Sequence, residues 1–165
     1  MVGKSFSQQI VEDIGHYMQI GLPITALGIS IAKGDKVGSI QLLESFALET
    51  GLVIGMKRII NRKRPNGKNY SFPSGHTAVS FMSSTYLWKR YGWEFGLPST
   101  ILAAYVGYSR FGIDEPVHHF SDVVAGAIIG IGSSWLFTKK YQSDVEIDVI
   151  GDMSFIGLKF KVNLN

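Results

Sequence analysis

The order of apolar and polar residues predicts a mainly helical chain. Residues 14–32 form an uncharged run, long enough to cross a bilayer, while its glycines and Pro23 equally suit a buried helix or hairpin. Helical periodicity continues in four further segments, residues 39–62, 77–90, 98–108 and 121–137.

The pattern changes period near the C-terminus. Val145, Ile147 and Val149 alternate with acidic residues, and residues 158–165 alternate again after Gly151-Asp152. This alternation is typical of a β-hairpin. The chain is therefore predicted to divide into a helical domain over residues 1–142 and a hairpin tail over residues 143–165, without a catalytic group in the tail.

Composition narrows the class of protein. The 165 residues are 45% hydrophobic and 18% charged and contain no cysteine. That length supports one buried core, and the apolar content leaves membrane contact open. The lack of cysteine excludes a disulfide framework, a thiolate metal site and a cysteine nucleophile.

Positive charge is concentrated in one segment. Six cations and no acid lie between positions 57 and 68, whereas the rest of the chain has more acids than bases. A nucleic-acid-binding surface spreads its cations and interleaves them with aromatic residues. The positive charge therefore belongs to one segment, and nucleic acid is not a predicted partner.

The first of three candidate clusters is Lys57 with Arg64-Pro65, six residues after the lysine. Cations near a helix C-terminus are often simply solvated. The turn around Lys57 is apolar, however, with Val53, Ile54 and Met56 before it. A lysine desolvated there is costly unless an anion meets it.

The second cluster is Pro73-Ser74-Gly75-His76. Ser74 is predicted as the N-cap of a helix, and the free N–H groups of a helix start beside a glycine are suited to binding phosphate. His76 at the rim could donate or accept a proton near neutral pH. The alternative is a capped helix start with an incidental histidine.

The third cluster is Ser109-Arg110, His118 and Asp122. On a helix, Asp122 would face His118 and hold one ring nitrogen, which leaves the other as a free lone pair. The alternative is an ordinary helical pair, and the adjacent His119 is predicted to point about a quarter turn away. A metal site is not predicted, because His-Glu-x-x-His and cysteine pairs are absent from the sequence.

Taken in order, these three clusters resemble the signature motifs of the type 2 phosphatidic-acid phosphatase superfamily, which includes bacterial non-specific acid phosphatases and vanadium haloperoxidases. The resemblance covers residues 57–122. One departure is the spacing between Arg110 and His118, where residues 111–117 make seven positions and the family pattern usually has five. Residues 113–116 look like a two-residue expansion of this loop.

The resemblance implies a helical bundle with its active site at one end, and a phosphatase that needs no metal or cofactor. His118 would be the nucleophile that forms a phosphohistidine, Asp122 would hold its ring, and His76 would protonate the leaving oxygen. The implied phosphate ligands are Lys57, Arg64, Ser74, Gly75 and Arg110.

The implied substrate is a lipid phosphate or diphosphate, or a small phosphomonoester, handled in the periplasm or cell envelope. Glu44 and Glu49 in the second predicted helix favour a soluble or peripheral protein over an integral membrane protein. Two other functions remain open at this point: a non-catalytic phosphate- or lipid-binding module, and a vanadate-dependent haloperoxidase.

Overall fold

A computed structural model describes residues 6–112 and 116–142, and the backbone of residues 145–152 and 155–162. The prediction of a mainly helical chain is confirmed. The described helices are α1 (Phe6–Ala32), α2 (Lys36–Ile60), α3 (Gly75–Tyr91), α4 (Trp93–Phe111) and α5 (Phe120–Phe137).

Several predicted helix boundaries were wrong. The uncharged run is part of one continuous helix, α1, with Pro23 inside it, so the hairpin alternative is excluded. Helix α2 begins at Lys36 because Asp35 caps it, accepting a hydrogen bond from the Gly38 N–H at 2.8 Å. Pro98 was predicted to begin the fourth helix but lies inside α4.

Helix α3 is the centre of the bundle and contacts each of the other four helices. Its apolar side chains Met82, Tyr86 and Leu87 are buried. Helix α5 approaches α3 closely at Gly126 and Gly130, where a Cβ atom would overlap the carbonyl oxygens of Ser74 and Ala78. The glycines therefore allow α5 to pack directly on the backbone of α3, at the start of which the second predicted cluster lies.

A buried ion pair closes one end of the bundle. The Arg90 guanidinium donates two hydrogen bonds to the Asp35 carboxylate, at 2.6 and 2.7 Å, and Tyr91 donates a third at 2.8 Å. Arg90 also donates to the Lys139 carbonyl oxygen at 2.9 Å. This network joins the α1–α2 turn, the end of α3 and the chain after α5. Because the second predicted cluster lies at the start of α3, it is at the opposite end of the bundle.

Two antiparallel backbone strands follow the helices, β1 (Val145–Asp152) and β2 (Phe155–Val162). Val145 pairs with Val162, and Asp152 pairs with Phe155. Gly151 and Asp152 are therefore the last two residues of β1. The side chains of this segment lie outside the described residues, and its assignment as a separate tail stays a prediction.

Candidate active site

A pocket of about 260 Å³ lies at the open end of the bundle. Four of the predicted site residues line it: Arg64 from the loop after α2, His76 from the first turn of α3, Arg110 from the last turn of α4, and His118 from the loop before α5. Helix α1 supplies three further polar lining residues, Glu12, Asp13 and His16. Residues far apart in the sequence therefore meet at one site.

Arg110 is buried against α1. Its guanidinium donates hydrogen bonds to the Glu12 carbonyl oxygen at 2.6 Å and to the Ser109 hydroxyl at 3.0 Å. Gly15 makes this approach possible, because a Cβ atom there would overlap the Ser109 side chain. One turn of α1 thus fixes the position of Arg110.

The longer spacing between Arg110 and His118 still brings the two residues together. The backbone carbonyl oxygen of Arg110 accepts hydrogen bonds from the N–H groups of Val117 and His118, each at 3.1 Å. Residues 113–115, which belong to the predicted two-residue expansion, lie outside the described residues. Arg110 and His118 both line the pocket.

His118 is buried, and its Nδ1 atom lies 3.6 Å from Asp122 Oδ2 and 3.4 Å from the Ser71 hydroxyl. The predicted helical geometry of this pair was wrong, since α5 begins at Phe120 and leaves His118 in the preceding loop. The His119 N–H donates to Asp122 Oδ2 at 3.0 Å, and the His119 ring contacts the Lys63 carbonyl oxygen at 3.1 Å. His119 is therefore turned away from the pocket.

Two residues outside the predicted site hold the Asp122 carboxylate. Arg62 donates to Oδ1 at 2.9 Å, and the Ser71 hydroxyl donates to Oδ2 at 2.5 Å. Arg62 belongs to the cationic segment that the sequence identifies, whereas nothing in the sequence distinguishes Ser71 from other loop serines. Together they fix the carboxylate that faces His118.

Burial and the cations of the site keep His118 uncharged. Burial, with Arg64 and Lys57 nearby, lowers the pKa of His118 to about 4 although Asp122 opposes the shift. The imidazole is therefore neutral at pH 7. Because Nδ1 faces the carboxylate, the proton is expected there, which leaves the Nε2 lone pair for the pocket.

His76 is also neutral and is paired with a second histidine. Burial, Arg110 and His16 lower the pKa of His76 to about 3. Its Nε2 atom lies 3.2 Å from His16 Nδ1, a distance at which one ring donates to the other. His16 is not among the predicted site residues, because within the uncharged run it is only one of several polar positions.

The described residues that line the pocket do not include Lys57, Ser74 or Gly75. Lys57 Nζ donates to the carbonyl oxygens of Pro73 at 2.7 Å and Tyr70 at 2.9 Å. Ser74 is the N-cap residue of α3, as predicted, but its side chain makes no capping hydrogen bond and instead accepts one from Thr77 at 3.0 Å. Lys57 of α2 thus holds the loop that leads to α3, and Ser74 and Gly75 begin that helix.

Two guanidinium groups give the pocket a means of binding an anion, although Glu12 and Asp13 of α1 line it as well. Arg64 and Arg110 both face it, and the buried Nε atom of Arg64 has no hydrogen-bond partner within the described part of the chain. Guanidinium groups bind the oxygens of phosphate and carboxylate through paired hydrogen bonds. In the same part of the chain, no three histidine or acidic side chains are grouped to hold a metal ion.

The described residues therefore form a five-helix bundle with two arginines and two histidines around a pocket at one end, an arrangement suited to binding a phosphoryl group. The family model of the PAP2 superfamily matches residues 66–145. Together with relatives at 30% identity or more, this match shows that the chain belongs to the PAP2 superfamily of phosphatases, and it confirms the resemblance to that superfamily.

Curated relatives and a solved structure agree with this membership. The chain is 28% identical over 145 residues to a lipid A 4'-phosphatase of Helicobacter pylori strain J99, covering 81% of this chain and 72% of the relative. It is 30% identical over 138 residues to a lipid A 1-phosphatase of Helicobacter pylori strain 26695, covering 74% and 68%. The crystal structure of Aquifex aeolicus LpxE matches with a TM-score of 0.69 and 25% identity, covering 82% and 87%.

Proposed function

We propose that the protein removes a phosphate group from a lipid, without a metal ion, through a phosphohistidine intermediate. The observation that carries this proposal is the convergence of Arg64, His76, Arg110 and His118 on one pocket, with Asp122 behind His118. The lipid A phosphatases among its relatives support a phosphorylated lipid as the substrate.

In the first step, the phosphoryl oxygens bind Arg64 and Arg110, and His118 Nε2 attacks phosphorus. The N–P bond forms as the bond to the leaving oxygen breaks, and His76 gives its proton to that oxygen. His76 must therefore be protonated in the complex. A bound phosphate supports this, because its negative charge favours a protonated His76 and so opposes the burial and the nearby cations that lower the pKa of His76 in the free protein.

In the second step, His76 accepts a proton from water, which attacks the phosphohistidine and releases inorganic phosphate. Asp122 keeps the His118 ring in one orientation during both steps, and Arg62 and Ser71 keep Asp122 in place. Fixed cations can stabilise the charge on the transferring group, as magnesium does in other phosphoryl transferases.

Lys57, Ser74 and Gly75 have a supporting part in this proposal. Lys57 holds the loop that leads from Tyr70 to Pro73 and so carries Ser71 to Asp122. Ser74 and Gly75 begin α3, whose N-terminal N–H groups favour negative charge. Their contribution to phosphate binding is therefore through the backbone of the helix start.

We further propose that the bundle is inserted in a membrane of the cell envelope. Helices α2 and α5 are long and apolar enough to cross a membrane, by length and composition. Large apolar side chains such as Ile24, Leu43 and Ile128 are exposed, while many serines are buried. This distribution is typical of helices that pack through small residues and face lipid.

The burial of Glu49 removes the argument that this residue gave for a soluble or peripheral protein. Only 3% of Glu49 is exposed, and Thr50 donates a hydrogen bond to its carboxylate at 3.1 Å. An acidic residue that faces the interior of a bundle is compatible with a membrane-spanning helix. Glu44 is exposed and remains the one of the two glutamates that would face lipid or headgroups.

Membrane insertion predicts that the expressed chain stays in the membrane pellet after extraction with alkaline carbonate and enters solution only with detergent. A peripheral protein held by charge is released by the same treatment. Release of most of the chain by carbonate, measured by immunoblot of pellet and supernatant, would contradict insertion.

The phosphatase proposal predicts inorganic phosphate release from phosphatidic acid in mixed micelles, at an unchanged rate in excess EDTA and with inhibition by vanadate. Loss of activity in EDTA would contradict a metal-independent reaction. Binding of phosphatidic acid without turnover would instead support the binding-module alternative. Vanadate-dependent halide oxidation with peroxide, in place of phosphate release, would support the haloperoxidase alternative.

A further inference from the structure

A second cavity, of about 480 Å³, lies between α1 and α4. Its lining is mostly apolar and includes Met18, Leu22 and Ile29 from α1 and Phe95 and Leu102 from α4. Glu94 is the one charged lining residue within the described part of the chain, and it lies at the start of α4, far from the catalytic pocket. We name this cavity the α1/α4 groove.

We propose that the α1/α4 groove holds an acyl chain of the lipid whose phosphate occupies the catalytic pocket. The proposal rests on the proposed function and adds to it a binding site for the apolar part of the substrate. An acyl chain is the occupant that fits the groove, because its lining offers apolar contact along most of its length and few polar groups.

The groove begins beside the catalytic pocket on α1, where His16 lines the pocket and Tyr17 lines the groove. Asp13 lines the pocket, and Tyr17, Gly21, Thr25 and Ile29 line the groove. These five positions follow one another at intervals of four residues, so they form a single ridge on the helix surface. On α4, Arg110 faces the pocket while Leu102 faces the groove.

The length of the groove suits one leaflet of a bilayer. Tyr17 and Ile29 are twelve residues apart on α1, which is about 18 Å at about 1.5 Å per residue. Half of a hydrocarbon core of about 30 Å is about 15 Å. A chain that enters beside Tyr17 can therefore lie along α1 for about the depth of its own leaflet.

Another apolar cavity fits the proposal less well. A cavity of about 240 Å³ between α3, α4 and α5 is lined by Trp88, Lys89 and Trp135. Lys89 precedes Arg90, and Trp135 lies near the end of α5, so this part of the cavity is at the end closed by the Asp35–Arg90 ion pair. The α1/α4 groove, by contrast, begins at the catalytic end.

Two glycines of α1 allow a matched test. Gly21 lines the groove, and a Cβ atom added there has no other atom within 4 Å. Gly28 has the same open space around it but does not line the groove. Gly21→Leu should therefore fill part of the groove from a Cβ position that is free of contacts, while Gly28→Leu makes the same change on the same helix outside it.

We expect Gly21→Leu to lower kcat/KM for a long-chain phosphatidic acid by about tenfold or more, since two methylenes excluded from an apolar site change binding by about that factor. We expect Gly21→Leu to leave hydrolysis of the water-soluble 4-nitrophenyl phosphate near the wild-type rate. Gly28→Leu should change neither substrate's kinetics.

The outcomes separate this proposal from the proposed function. If wild type releases phosphate from neither substrate, the phosphatase proposal fails. If wild type is active but Gly21→Leu affects both substrates equally, or neither, the acyl-chain site is overturned. An equal loss in Gly28→Leu on the long-chain lipid would overturn it too, since general packing of membrane lipid would then explain the effect.

A second measurement does not depend on any variant. Wild-type kcat/KM should rise with acyl-chain length and level off once the chain is as long as the groove. A kcat/KM that is independent of chain length would overturn the proposal.

Discussion

His118→Ala is expected to reduce phosphate release by at least about 10⁴-fold, because the variant lacks the atom that forms the bond to phosphorus. Radiolabelled lipid phosphate, quenched in alkali to preserve phosphohistidine, should label wild type and leave His118→Ala unlabelled. The side chain is buried, so circular dichroism and thermal unfolding should show that the variant is folded before its activity is compared.

His119→Ala is the matched control for this experiment. The two histidines are adjacent, but the His119 ring contacts the Lys63 carbonyl oxygen and does not line the pocket. Its backbone N–H, which donates to Asp122, is retained in the variant. We expect His119→Ala to keep near-wild-type turnover, and label retained in His118→Ala would place the nucleophile elsewhere and contradict the mechanism.

The sequence predicts residues that line the candidate pocket better than it predicts the residues that hold them in place. His76, Arg110 and His118 could be identified because each stands in a short motif at a predicted helix end. Arg62 and Ser71 reach Asp122 from 60 and 51 positions away. Such contacts depend on how helices and loops pack, so no local spacing reports them.

The contribution of α1 to the site is hidden from the sequence for the same reason. Gly15 appears as one glycine in an apolar run, yet it lets α1 pack against Ser109 and Arg110. That contact brings Glu12 to Arg110 and His16 to His76. Only the close approach of α1 and α4 makes these residues part of the site.

The direction of the apolar faces could not be predicted either. Helix α2 has the helical periodicity that its sequence indicates, but Leu43 and Phe46 are exposed while Ser45 and Glu49 are buried. The usual interpretation of an amphipathic helix assumes water outside the bundle. If lipid surrounds the bundle, an apolar side chain that faces outward costs no free energy. The same helical period then predicts an apolar outer face and a more polar inner face.

His76→Ala is expected to slow the first chemical step most for substrates whose leaving oxygen must be protonated as it departs. For a lipid phosphate, whose leaving group is a poorly stabilised alkoxide, we expect a loss of about 10²- to 10⁴-fold. For 4-nitrophenyl phosphate, whose phenolate leaves without a proton, the first turnover should stay near the wild-type rate. Stopped-flow measurement of nitrophenolate separates that first turnover from the steady state.

The second step gives the same variant a distinct signature. If His76 also activates the water, the phosphohistidine formed from 4-nitrophenyl phosphate should accumulate in His76→Ala, as a burst of nitrophenolate followed by slow turnover. Equal slowing of the first turnover for aryl and lipid phosphates, without a burst, would show that His76 binds the phosphate and does not transfer its proton. The His76 ring, whose Nε2 atom lies 3.2 Å from His16 Nδ1, would then act only as a phosphate ligand.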